Sequence, residues 1–64
     1  MRERRVIWEC YACDEKGMLI PIGVSLYYFD TPEHRELAEK FKTNERDFIR
    51  KTWGTDPIEV TNYY

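Results

Sequence analysis

Two early segments of the chain have the hydrophobic patterning of β-strands. Residues 6–13 and residues 18–29 alternate in polarity and are rich in residue types that favour strands. We predict that the even-numbered side of the second segment faces the core, with Met18, Ile20, Ile22, Val24, Leu26 and Tyr28. The short segment between them, which ends in Gly17, predicts a hairpin turn.

Pro21 and Gly23 lie inside the second predicted strand. Proline cannot donate a backbone hydrogen bond to a neighbouring strand, and glycine has no side chain to pack. The pair therefore predicts that this strand lies at the edge of its sheet and contains a bulge.

A long helix is predicted from Pro32 to about Trp53. Asp30 or Thr31 can cap its start, where proline suits the first turn. Gly54 suits a left-handed conformation just beyond its end. The boundaries are therefore marked by the sequence itself.

The predicted inner stripe of this helix is its most apolar side. It consists of Leu37, Phe41, Phe48 and Thr52, with Ile49 at the flank. Residues 43–45 interrupt the stripe, and a second short helix could begin there. One kinked helix is favoured over two.

The C-terminal PIEVTNYY predicts a third strand, with Ile58 and Val60 inward and Glu59 and Thr61 outward. The helix returns the chain along the second strand, so the third strand lies antiparallel beside the first. The predicted fold is α+β, a single small domain covering residues 1–64. It has the order ββαβ, with a three-stranded antiparallel sheet of order 2-1-3 and one helix packed on one face.

The composition excludes several classes of protein. With 42% hydrophobic and 16% aromatic residues the chain should fold, and a net charge of −2 gives no reason for nonspecific binding to nucleic acid or anionic membranes. The longest apolar run, MLIPIGV, is far shorter than the roughly 20 residues that span a bilayer. Two cysteines are too few for a disulfide framework, and no signal-peptide core follows the basic start. A cytoplasmic protein without a membrane segment is predicted.

Cys10 and Cys13 form a Cys-x-x-Cys pair, which is compatible with zinc binding, redox chemistry or strand packing. A zinc site would need His34 and a further ligand such as Asp14. A redox pair needs its cysteines at a helix N-terminus, whereas Cys13 leads into a hairpin. Residues three apart on a strand point to opposite faces, so we favour Cys10 in the core, Cys13 outside, and no metal or other cofactor. A zinc-binding domain through Cys10, Cys13 and His34 is kept as an alternative.

His34 is the only histidine, and the sequence gives it no catalytic companions. A nucleophilic site would have to pair it with Cys13 or a nearby hydroxyl, and no oxyanion-forming motif or glycine-rich phosphate loop is present. We predict no enzyme activity and expect His34 to pack over the end of the sheet.

One helix can cover only one side of a three-stranded sheet, so the other side should expose apolar side chains. A chain of this size buries only about 60% of its unfolded surface and usually depends on a staple, a metal or a partner. The predicted binding residues on the uncovered face are Ile7, Tyr11, Leu19, Tyr27, Phe29 and Tyr63. We therefore predict a non-enzymatic module that binds a protein partner or itself, most simply as a homodimer.

The alternative is a single-stranded nucleic-acid binder that stacks bases on the same tyrosines. Arg2, Arg4 and Arg5 would then contact phosphates. A stacking platform normally lies in a basic groove, whereas Glu9 and Glu59 are expected on this face. Protein binding is therefore favoured, and nucleic acid is the less favoured partner.

The order of hairpin, long helix and final strand is similar in outline to that of small bacteriophage proteins that inhibit a host enzyme by binding it. The resemblance covers element order and transfers no residue role. It implies a phage or mobile-element accessory protein that binds a host protein.

Overall fold

The computed structural model describes residues 4–64 and contains three strands and one helix. They are β1 (Arg5–Cys13), β2 (Leu19–Phe29), α1 (Pro32–Trp53) and β3 (Ile58–Tyr63). β2 and β3 both run antiparallel to β1, and the strand order is β2-β1-β3. The predicted α+β fold, with the order ββαβ and one helix, is confirmed.

The edge strand β2 contains the predicted bulge. Trp8 pairs with Leu26, and Cys10, two residues further along β1, pairs with Ile22. Residues 23–25 therefore lie opposite a single residue of β1. Because the bulge adds two residues, side chains on either side of it keep the same alternation, and the paired even-numbered residues before and after it lie on the helix side of the sheet.

Gly23 makes this bulge possible and should not tolerate a side chain. Its φ is +72°, and an added Cβ would lie 2.5 Å from Oε2 of Glu45 and 3.1 Å from Cδ1 of Ile49. The Glu45 carboxylate accepts a hydrogen bond from the Val24 amide at 2.8 Å. We expect Gly23→Ala to destabilise the fold by about 2–3 kcal/mol, through left-handed strain and displacement of Glu45.

Gly54→Ala is the matched control for this prediction. Gly54 also has a positive φ, 74°, but an added Cβ would meet no atom within 4 Å. We expect its cost to be about 1 kcal/mol, because only backbone strain is added. Urea unfolding of both variants measures the difference, and equal midpoints would contradict the steric role of Gly23.

The helix begins and ends where the sequence predicts. The Thr31 hydroxyl accepts a hydrogen bond from the His34 amide at 3.3 Å at the N-terminus. At the other end, the Gly54 amide donates to the Arg50 carbonyl at 2.8 Å. The helix continues through residues 43–45, so one helix is present rather than two.

The predicted inner stripe of α1 is wrong. The side chains buried against the sheet belong to Ala38, Lys42 and Ile49. By contrast, Leu37 and Phe48 are 62% and 57% exposed, and Thr52 is exposed as well. Phe41 lies between the two sides, with its ring edge towards Trp8. The helix is thus rotated by about a quarter of a turn from the orientation that hydrophobicity alone predicts.

Polar side chains with specific partners explain this rotation. Lys42 Nζ donates to the Tyr28 hydroxyl at 3.1 Å and to Oε1 of Glu39 at 3.4 Å. Its ammonium also lies over the rings of Tyr28 and Trp8, at 5.3 and 6.0 Å from their centroids. The lysine stem can therefore cover the sheet while its charge remains hydrogen-bonded.

The predicted orientation of β3 is also wrong. Ile58 and Val60, which were expected to face the core, lie on the side opposite the helix. Glu59 and Thr61, which were expected to face outward, lie on the helix side. Because side chains alternate along a strand, a shift of one residue reverses the whole of β3.

Glu59 has two partners that hold it on the helix side. Its Oε1 accepts a hydrogen bond from Trp8 Nε1 at 3.0 Å, and Arg46 donates to both carboxylate oxygens at 2.9 and 2.7 Å. The bonds from Arg46, with a further contribution from Trp8, hold the pKa of Glu59 below its usual range. The carboxylate therefore stays ionised between β3 and α1.

The buried core of the described residues is small. It consists of Val6, Trp8, Cys10, Ile22, Ala38 and Ile49. Three residues predicted to belong to it, Met18, Ile20 and Val24, are exposed, and Leu26 and Tyr28 are half-buried. Val24 lies in the bulge, and the other two lie at the hairpin end, beyond the part of β1 that pairs with β3.

Candidate protein interface on the open sheet face

The side of the sheet opposite α1 is uncovered within residues 4–64, and we call it the open face. Its apolar side chains are Ile7, Tyr11, Leu19, Pro21, Tyr27, Phe29, Ile58, Val60 and Tyr64. They come from all three strands, because Tyr11 on the central strand pairs with Pro21 of β2 and with Ile58 of β3. The open face is therefore one continuous surface.

Five of the six predicted binding residues lie together on this surface. Ile7, Tyr11, Leu19, Tyr27 and Phe29 all occupy the open side of β1 and β2. The side chains of Tyr27, Leu19 and Phe29 are 69%, 51% and 41% exposed. Ile7 and Tyr11 are half-buried between their neighbours on the flanking strands.

The prediction that Tyr63 shares this face is wrong. Tyr63 pairs with Val6 and so lies on the helix side, where the Arg4 guanidinium is 5.6 Å from the centre of its ring. The next residue, Tyr64, exchanges two backbone hydrogen bonds with Arg5 and takes the corresponding place on the open face. This correction follows from the reversed orientation of β3.

Besides Pro21 of β2, sequence reasoning missed three residues of the open face: Ile58, Val60 and Tyr64. Their alternation with polar residues was visible, but the usual rule places the apolar side of a strand towards the core. In β3 the hydrogen bonds of Glu59 with Trp8 and Arg46 place the polar side of the strand towards the helix instead. The open face is consequently more apolar than predicted.

Two charged side chains belong to the described part of the open face, Arg5 and Glu9, and their charges are opposite. Glu9 accepts a weak hydrogen bond from the Ser25 hydroxyl at 3.3 Å. Glu59, the second acid predicted for this face, lies on the other side of the sheet. Arg4 also lies on the helix side, over Tyr63, and Arg2 lies outside the described residues.

The hydroxyl of Tyr11 stays neutral on this surface. Partial burial and the adjacent Glu9 carboxylate both raise its pKa above the ordinary value. A neutral phenol presents an apolar ring and one hydrogen-bonding group, a combination that is common at protein interfaces.

A groove of about 640 Å³ lies where the open face ends, next to the start of the helix. Its walls are formed by Arg5, Val6, Ile7, Tyr27, Tyr28, Phe29, His34 and Tyr64. His34 packs at the end of the sheet as predicted, with its ring 5.9 Å from that of Phe29 and its Nδ1 2.7 Å from the Thr31 hydroxyl. The groove extends the apolar surface towards the helix.

The two cysteines lie in different environments on opposite faces of β1. The Cys10 thiol is buried, and its burial, with nearby Glu59 and Glu45, raises its pKa to about 11. Cys13 is exposed at the hairpin end, whereas His34 lies at the opposite end of the sheet. The residues from 4 to 64 contain no cluster of three side chains suited to a metal ion. The arrangement of the zinc alternative is therefore not present in this fold.

Comparison with protein families, with curated protein sequences and with solved structures gives no match for this chain. Among the residues that the structure describes, no helix has the length and apolarity needed to cross a membrane.

Proposed function

We propose that this chain is a non-enzymatic protein-binding module that associates through its open face, with a second copy as the partner. The observation that carries the proposal is the set of apolar side chains that all three strands place on the open face, with Tyr27 and Tyr64 about 70% exposed. Large contiguous apolar patches on a small protein mark interaction sites, and exposed aromatic side chains are the residues that most often anchor them.

The chain exposes 5106 Å² of accessible surface. A compact monomer of 7.8 kDa is expected to expose about 4,400 Å². The chain is therefore more open than a compact monomer of its mass, which supports a surface that a partner covers.

The charges on the open face favour a second copy over nucleic acid. A partner that covers Glu9 must offer a cation, because an unpaired carboxylate at an interface is costly. A second copy whose β1 runs in the opposite direction offers its own Arg5. A nucleic acid would instead meet a surface with no net positive charge, which lacks the usual electrostatic attraction for phosphates.

We further propose a location in a reducing cytoplasm, where free thiols are stable. Cys13 is exposed at the hairpin end, beside the open face. An oxidising compartment would expose it to intermolecular disulfide formation.

Replacing two open-face anchors tests the proposal. We expect Tyr27→Ser with Phe29→Ser to lower the molar mass measured by light scattering relative to the unmodified chain at equal concentration. Neither side chain belongs to the buried core, Tyr27 being 69% and Phe29 41% exposed, so circular dichroism should show a folded variant. Equal molar masses for the two chains, or an unfolded variant, would contradict the role given to this face.

Titration with single-stranded RNA at low and high salt tests the alternative function, binding of single-stranded nucleic acid. We expect little binding under either condition. Tight binding that weakens steeply with salt and is lost in the double variant would favour a nucleic-acid platform instead.

A further inference from the structure

A second apolar surface remains on α1, away from the open face. Leu37, Phe41 and Phe48 are 62%, 38% and 57% exposed. Together with Asn44 they follow the spacing of four, three and four residues that forms the seam of a coiled coil. We call these four residues the helix flank.

We propose that the helix flank binds the helix flank of a second copy, with the two helices antiparallel. This surface is separate from the open face and goes beyond the function proposed for it. The buried side of α1 is about a quarter of a turn away, so the flank stays exposed while the helix packs on the sheet.

The positions of the apolar residues along α1 favour a copy of the same helix. The helix runs from Pro32 to Trp53, and Leu37 and Phe48 each lie five residues from one of these ends. Two antiparallel helices that overlap along their full length therefore bring Leu37 of one copy opposite Phe48 of the other. In the same alignment Phe41 lies opposite Asn44, at the middle of the overlap.

The charged residues beside the seam are also self-complementary. Lys40 and Asp47 are seven residues apart and occupy the same position beside the seam, on the side away from the sheet. In the antiparallel alignment Lys40 of each copy meets Asp47 of the other, giving two attractive pairs. Lys40 forms no salt bridge among residues 4–64, and the contact of Asp47 with Arg50 is exposed and 3.3 Å long.

A parallel arrangement uses these charges less well. It would bring Lys40 towards Glu45 of the other copy, but Glu45 already accepts a hydrogen bond from the Val24 amide at 2.8 Å. Asp47 would meet Thr52 and gain no cation. The antiparallel arrangement is therefore the one that the charged side chains favour.

If the open face and the helix flank each bind the same surface of a second copy, the chain can form assemblies larger than a dimer. Dimers that form through the open face should join through the helix flank, so that the unmodified chain assembles beyond a dimer. Removing either surface should leave a dimer held by the other, and removing both should leave a monomer.

Four chains separate the two surfaces in light scattering over a concentration series. They are the unmodified chain, the open-face variant Tyr27→Ser with Phe29→Ser, the flank variant Leu37→Ser with Phe48→Ser, and the combination of all four changes. We expect an assembly larger than a dimer, two different dimers and a monomer, respectively. The flank proposal is overturned if the open-face variant is monomeric at every concentration while the flank variant keeps the mass of the unmodified chain. The converse result would overturn the function proposed for the open face and leave the flank proposal in place.

Charge exchange tests the antiparallel register with substitutions that should not affect folding. In the open-face variant, Lys40→Asp alone and Asp47→Lys alone should each weaken dimerisation about tenfold, because two attractive pairs become repulsive. The two changes together should restore the dimer. If each single change leaves the dissociation constant unaltered, or the double change fails to restore it, the proposed register is overturned.

Discussion

Replacing Trp8 with alanine should leave most of the chain unfolded at room temperature. The Trp8 side chain is 1% exposed and packs against the edge of Phe41 and under the ammonium of Lys42. Removing a buried aromatic side chain costs about 3–5 kcal/mol. A core of this size rarely supplies more than about 3–5 kcal/mol in total, so the loss is comparable to the whole stability of the fold.

Two control variants separate the contributions of Trp8. Trp8→Phe keeps an aromatic ring in the core but removes the N–H that donates to Glu59 at 3.0 Å, so we expect an intermediate loss. Tyr27→Ala removes an aromatic side chain that is 69% exposed and should leave the monomer folded. Circular dichroism during urea unfolding measures all three variants. A Trp8→Ala protein with the unmodified midpoint would show that the core lies elsewhere.

Ile49→Ala and Phe48→Ala should have very different effects on stability, although the residues are adjacent. Ile49 is fully buried, and truncating a buried isoleucine costs about 2–5 kcal/mol. Phe48 is 57% exposed in the monomer, and substitutions at such positions usually change stability by less than about 0.5 kcal/mol. The pair therefore tests which side of α1 packs against the sheet.

The measurement is urea unfolding at low protein concentration, where association through the helix flank contributes little. Phe48→Ala should then behave like the unmodified chain, and Ile49→Ala should unfold at a much lower urea concentration. The reverse order would mean that the helix packs through its apolar stripe, as hydrophobicity alone predicts, and would also remove the surface assigned to the helix flank.

Local signals in the sequence determined the elements and their order. The cap at Thr31 and the left-handed stop at Gly54 act within a few residues, so the boundaries of α1 could be predicted. Pro21 and Gly23 identified β2 as a bulged edge strand, because each limits what a neighbouring strand can pair with. From the order ββαβ the sheet topology followed, since short connections leave few alternatives.

The same local reasoning identified most of the open face. Alternation along β1 and β2 was enough to place Ile7, Tyr11, Leu19, Tyr27 and Phe29 on one side. That side had to be uncovered, because residues 4–64 contain one helix to cover a three-stranded sheet. Neither step required knowledge of contacts between distant residues.

Only the tertiary structure decided which sides of α1 and β3 face each other. Glu59 is 51 residues from Trp8 and 13 from Arg46, yet it binds both side chains. These contacts draw a charged side of β3 inward and turn Ile58 and Val60 onto the open face. A prediction from local hydrophobicity places charged residues in water. It cannot identify their hydrogen-bonding partners, because those partners are distant in sequence.

The exposure of the helix flank also results from polar contacts between residues that are distant in sequence. Lys42, Glu45 and Arg46 occupy the side of α1 nearest the sheet, where each finds a partner on another element: Tyr28, Val24 and Glu59. The helix therefore packs with a side that combines these polar residues with Ala38 and Ile49, and it leaves Leu37 and Phe48 exposed. The sequence by itself determined where the elements lie and how they connect, while the paired polar groups, satisfied only after folding, determined which apolar surfaces the protein presents.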